Sequence, residues 1–107
     1  MIRQLTVSEL KERLEKGSND FVVIDVREPW EIAVCALPVA VSIPMRAIPA
    51  RYPELSKDTE LVLMCHHGVR SQHVAQFLES VGFDKLSNLV GGINAWAIQI
   101  DPAMAKY

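Results

Sequence analysis

The sequence predicts an α/β fold built on a mainly parallel sheet, and three observations carry that prediction. Phe21-Val22-Val23-Ile24 and Leu61-Val62-Leu63-Met64 are continuous apolar runs rather than alternating ones, as expected of strands covered on both faces. Helix-periodic segments fall between the strand-like runs, and right-handed crossovers then make neighbouring strands parallel. The chain has 107 residues, half of them apolar, which is enough for one compact core spanning residues 1–107 and leaves little room for a second.

Each element has its own local reason. Thr6 followed by Glu9 forms a capping box, Leu10 and Leu14 share a helical face, and Gly17 closes that helix. Asp25 ends the first apolar run, and Pro29 favours a new helix start around Trp30. Pro38 and Pro44 bracket a short strand, Val39 to Ile43, and Ile48 to Tyr52 reads as a single turn. Val74, Ala75, Phe77, Leu78 and Val81 recur at helical spacing from Ser71 until Gly82 stops them. Leu86 to Val90 reads as a last strand, Gly91-Gly92 as a turn, and Ile93 to Ala97 as a short helix with Trp96 in the core. Trp30 and Phe77 are expected to serve packing.

The chemistry concentrates in Cys65-His66-His67-Gly68-Val69-Arg70-Ser71, between the second apolar run and the helix that follows. A strand's C-terminal end is where open α/β sheets bind ligands. A tight loop entering a helix N-terminus turns its N–H groups inward and concentrates partial positive charge there. A free cysteine titrates at about 8.5, and such surroundings lower that value, so Cys65 is a candidate nucleophile. A merely buried cysteine would not ask for the Gly and Arg that follow it.

Composition narrows the classes. A formal charge of −2, without clustered Lys and Arg, argues against nucleic acid. The two cysteines, thirty positions apart, make no disulfide framework, and neither a signal-peptide core nor a membrane-length apolar run is present. These features point to a reducing, cytoplasmic setting with no membrane association; oligomeric state is not legible.

The loop sits in an ordered series: Asp25-Val26-Arg27-Glu28 with Trp30-Glu31, Ile43-Pro44, Cys65 to Ser71, Gly82-Phe83, and Gly91-Gly92-Ile93-Asn94-Ala95-Trp96. In that order and spacing the chain resembles the single-domain rhodaneses, a sulfurtransferase family. The resemblance implies a rhodanese-like domain with five central strands and helices on both faces. It also implies a sulfane sulfur moved from thiosulfate or a persulfide to cyanide, a small thiol or a protein thiol, such as a thioredoxin-like protein, through a Cys65 persulfide. No cofactor is implied. His66, His67, Gly68, Val69, Arg70 and Ser71 would form the substrate-binding loop, and Asp25, Arg27 and Glu28 would support it. Around Cys35 the family's Gly-His-Ile-Pro-Gly-Ala stands as Cys35-Ala36-Leu37-Pro38-Val39-Ala40, a departure that alters the local turn.

Cysteine-dependent phosphatases and arsenate reductases use a similar cradle, but with one residue more between Cys and Arg than the four here. A shorter ring of amides suits a single terminal sulfur atom. Non-catalytic rhodanese-like binding modules typically lack the cysteine. Arg70 could attract an anionic donor or brace the loop through a carboxylate such as Asp25 or Glu28, and bracing is favoured. His66 and His67 either face the sulfur acceptor or are simply exposed at the mouth, and His73 lies on a solvated helix face. A metal site is disfavoured, because consecutive side chains on a tight loop diverge. Cys35 reads as a small buried hydrophobe, or else as a resolving thiol. Asp25, Arg27, Glu28 and Glu31 are expected to cap a helix and tie loops rather than act as acids and bases. Arg46 and Arg51 either rim the pocket or lie on a solvated face.

Overall fold

The computed structural model describes residues 1–107. Five strands form one sheet: β1 (Ile2–Leu5), β2 (Phe21–Asp25), β3 (Val41–Ser42), β4 (Glu60–Met64) and β5 (Leu86–Leu89), in the order β1-β5-β4-β2-β3. Every pairing is parallel, so the mainly parallel expectation is met throughout. The helices are α1 (Val7–Glu15), α2 (Pro29–Val34), α3 (Ile48–Arg51), α4 (Val69–Ser80) and α5 (Gly92–Gln99), with 3-10 turns at Met45–Ala47 and Tyr52–Glu54.

The pleat divides the core into two layers, one on each face of the sheet. Leu61, Leu63 and Cys65 pack with Ile48 of α3 and with Val74, Ala75 and Leu78 of α4. Val62 and Met64 pack the other way, with Val7 and Leu10 of α1 and with Ile93 and Trp96 of α5. That double coverage is why β2 and β4 read as unbroken apolar runs.

Several boundaries move, for identifiable reasons. The capping box on α1 is present in full, with the Glu9 N–H donating to Thr6 Oγ1 at 3.1 Å and the Thr6 N–H to Glu9 Oε1 at 2.9 Å. The strand expected over Val39 to Ile43 shrinks to Val41–Ser42, because an Ala40 N–H bond to the Leu37 carbonyl at 3.1 Å turns the preceding residues. The helix expected from Ser71 starts at Val69, since Gly68 with φ of 105° lets the chain turn into it two residues sooner. Strand β1 carries polar Arg3 and Gln4 on an edge, and apolar patterning does not reveal it.

The order of the strands fixes where a ligand can bind. The chain leaves β2 toward β3 and leaves β4 toward β5, in opposite directions, so a crevice opens between the C-terminal ends of β2 and β4. Asp25 and Met64 are register partners, and the Val26 N–H donates to the Met64 carbonyl at 2.9 Å. Residues 26–31 and 65–71 therefore emerge side by side.

Leu63 is wholly buried on the central strand β4. Leu63→Ala is expected to lower unfolding stability by about 2–5 kcal/mol, read from urea denaturation.

Candidate active site

Cys65 follows β4 and is only 1% exposed. Its Sγ accepts the Gly68 N–H at 3.0 Å and lies 3.3 Å from Ser71 Oγ. Burial works to raise the thiol, but the Ser71 hydroxyl and the N–H groups of Ser71, Gly68 and His67 outweigh it, so the thiol sits below its ordinary value. The three-turn helix α4 starts at this loop and adds its N-terminal dipole.

Glycines allow the loop to close. Gly68 caps α4, and a Cβ there would meet the Leu89 carbonyl at 3.3 Å. Gly92, with φ of 58°, passes so near the Cys65 and His66 carbonyls that any side chain would collide with them. The next two amides hold the loop from behind: the Ile93 N–H donates to the Cys65 carbonyl at 2.9 Å and the Asn94 N–H to that of His66 at 3.0 Å. With these carbonyls tied to α5, the loop's own amides are free to face the sulfur.

Two arginines brace the crevice. Arg70 grips Glu31 with both guanidinium ends, Nη1 to Oε1 at 2.7 Å and Nη2 to Oε2 at 2.8 Å. Its carboxylate partner is thus Glu31, neither Asp25 nor Glu28. Glu31, third in α2, also accepts the Glu28 N–H at 3.0 Å and the Tyr107 hydroxyl at 2.8 Å. The Arg70 guanidinium, ahead of the other contacts, holds the Glu31 carboxyl at about 2. Arg27 is fully buried: Nε and Nη2 meet the Asp25 carboxylate at 2.9 and 2.7 Å, Nη2 reaches the Cys35 carbonyl at 2.8 Å, and Nη1 donates to the Tyr107 hydroxyl at 3.0 Å. Asp25 and Arg27 thereby tie loops together from below, whereas Glu28 faces outward and pairs with Arg46.

The remaining expectations sort around this frame. His66 stacks on Tyr107 with ring centroids 3.9 Å apart, and burial together with the neighbouring His67 keeps its imidazole below the ordinary value. His67 and His73 are exposed. Trp30, expected to serve packing, is 64% exposed and touches only the tail, edge-on against Tyr107, because α2 turns Glu31 rather than Trp30 inward. Phe77 does pack, edge-on to Tyr52. Cys35 is half-buried rather than buried, and it is the backbone carbonyl that Arg27 uses most closely. Arg51 pairs with Glu54 on the surface.

Asn88 and Tyr107 escape a reading of the sequence, and Glu31, expected to cap a helix and tie loops, escapes it only as the partner of Arg70. Glu31 carried a signal, since a Glu third in a helix beginning with Pro is a capping residue. Asn88 carried one too: a polar residue within a strand that must be buried. Tyr107, in the tail beyond α5, carried none.

A central parallel strand ending in a cysteine, followed by an amide-lined loop and a helix N-terminus, defines a class of α/β proteins able to hold an anionic sulfur. The comparisons specify it. Residues 6–99 match the model of the rhodanese-like domain. A sulfurtransferase of Allochromatium vinosum is 37% identical over 97 residues, covering 91% of this chain and 90% of that protein. The adenylyltransferase and sulfurtransferase MOCS3 of Arabidopsis thaliana is 28% identical, over 97% of this chain but 26% of its own length. The crystal structure of a rhodanese-like domain protein from Staphylococcus aureus superposes with a TM-score of 0.82 at 36% identity, covering 89% of this chain and 91% of that one. The chain belongs to the rhodanese-like domain family, and relatives named as sulfurtransferases support a sulfur-transfer role of that general kind.

The Glu31 carboxyl is lowered in the folded state, so its stabilisation is complete above the ordinary 4.5 and is lost as pH falls toward about 2. Glu31→Gln is expected to flatten that part of the stability curve, measured as melting temperature against pH. Arg70→Ala should cost about 1–3 kcal/mol. An unchanged melting temperature would remove the bracing role.

Proposed function

We propose that the protein is a sulfurtransferase that carries a sulfane sulfur as a persulfide on Cys65. The observation that carries this reading is the 3.0 Å bond from the Gly68 N–H to the Cys65 sulfur, at the head of α4. The Cys65 thiolate attacks the outer sulfur of thiosulfate or of another persulfide. A new sulfur–sulfur bond forms, the old one breaks, and sulfite or a thiolate leaves with the electron pair. An acceptor then attacks the same outer sulfur: cyanide becomes thiocyanate, or a thiol becomes a persulfide. Cys65 departs as thiolate, so the scheme is ping-pong with no net change at the enzyme.

The amides of His66 through Ser71 stabilise the thiolate and the persulfide anion, which carry the same charge at nearly the same place. His66 and His67 edge the mouth, where an acceptor arrives. Asp25 with Arg27, and Glu31 with Arg70, keep the loop in one shape. Small thiols and thioredoxin-like protein thiols are the acceptor classes that fit, in the reducing cytoplasm. The phosphatase reading is disfavoured by the four-residue spacing between Cys65 and Arg70, a loop sized for one guest atom.

Incubation with thiosulfate is expected to raise the intact mass by one sulfur atom. Cyanide should discharge it, and Cys65→Ser should never acquire it. Turnover of an aryl phosphate without persulfide formation would overturn the assignment.

A further inference from the structure

Beside the nucleophile lies a line of uncharged polar groups, of which the first, the Ser71 hydroxyl, touches the sulfur. Ser71 Oγ is 2.5 Å from Asn88 Oδ1 and 3.3 Å from Cys65 Sγ. Asn88 Nδ2 donates to the Gly68 carbonyl at 3.2 Å and to Gln4 Oε1 at 3.1 Å, and Gln4 Nε2 continues to Gln72 Oε1 at 2.9 Å. Ser71 and Asn88 are both buried, at 0% and 4% exposure.

The orientation of this line follows from its chemistry. A backbone carbonyl only accepts, so the Gly68 carbonyl fixes which end of the Asn88 amide is nitrogen. The oxygen must then face Ser71, and it too only accepts. A hydroxyl has one proton. While Ser71 gives that proton to Asn88, it can offer Cys65 only a lone pair, which suits a thiol S–H and opposes a thiolate. The hydroxyl lowers the thiol only when it turns that proton from Asn88 to the sulfur, as it must when the sulfur ionises.

We propose that Asn88 is a positioning residue for the nucleophile: its side-chain carbonyl competes with the Cys65 sulfur for the single proton of the Ser71 hydroxyl and so sets how readily the sulfur ionises. The competition opposes the loop amides, which all favour the thiolate. Its use is kinetic, because nucleophilicity falls as a thiol becomes more acidic, and the best attacking thiol titrates near ambient pH. The charged and titratable groups of the crevice are Asp25 at the end of β2, Arg27 in the turn after it, Glu31 of α2, His66 and His67 from the loop, Arg70 from α4 and Tyr107 from the tail. None of these bonds to Ser71 or Asn88, and β1 and β5 bring only the neutral amides of Gln4 and Asn88 to the line.

The inference concerns the nucleophile of the proposed reaction, but its test needs no sulfur donor, so the two can fail separately. The thiol is titrated by ultraviolet thiolate absorbance in the wild type, Asn88→Leu, Ser71→Ala and the double variant. Asn88→Leu frees the hydroxyl for the sulfur and is expected to move the titration down by about one unit, the worth of one hydrogen bond to a charged group. In the Ser71→Ala background the same substitution should move it by nothing. Asn88→Ala removes the same carbonyl without adding bulk and serves if the leucine variant does not fold. An upward shift, or an equal shift with and without the Ser71 hydroxyl, would mean that Asn88 only supports the Gly68 carbonyl and would overturn the proposal. Loss of persulfide formation with the predicted titration shifts intact would instead count against the sulfur-transfer reading.

Discussion

The Gly68 N–H bond to the Cys65 sulfur is the constraint to which the rest of the architecture answers. An amide can point at a side chain three residues back only if the chain turns sharply, and Gly68 at φ of 105° makes that turn. The turn in turn needs room behind it. Gly92 provides the room, and the first amides of α5 bind the Cys65 and His66 carbonyls there. The Cys-x-x-Gly loop and the Gly-Gly pair, far apart in the chain, are therefore two halves of one device. The first directs amides inward and the second holds the opposed carbonyls outward.

Charge is managed separately from that device. The arginines that flank the crevice are already engaged by carboxylates, Arg70 by Glu31 and Arg27 by Asp25, and Tyr107 joins the two pairs through its hydroxyl. The Arg27–Asp25 pair is buried and the Arg70–Glu31 pair partly so, and buried ion pairs contribute little net stability when intact but are costly to break, which suits them to fixing a geometry. Paired in this way they leave the loop amides and the Ser71 hydroxyl to stabilise an anionic sulfur. That hydroxyl is the end of a neutral line that continues through Asn88 to Gln4.

Much of the frame was legible in the residues because it depends on short-range rules. Continuous apolar runs marked β2 and β4, the Thr6–Glu9 box marked α1, and Gly82 marked the end of α4. What stayed hidden depends on long-range placement. β1 gains its place from pairing with β5 along its whole length, not from an apolar pattern, since Arg3 and Gln4 occupy an edge. Arg70 reaches Glu31 rather than Asp25 or Glu28 because α2 turns the side chain of its third residue back toward the loop, a direction that spacing alone does not reveal. Tyr107 is brought to the site by the tail's path past α5, for which no local rule exists.

The account rests on a buried sulfur made electron-rich by the loop that follows it. The most direct measurement is the rate at which iodoacetamide alkylates Cys65 as a function of pH in the Cys35→Ser variant, where a single thiol reports. A sulfur held by these groups gives an inflection clearly below the value of about 8.5 for a free cysteine. An inflection at or above that value would show burial prevailing over the amides and would contradict it.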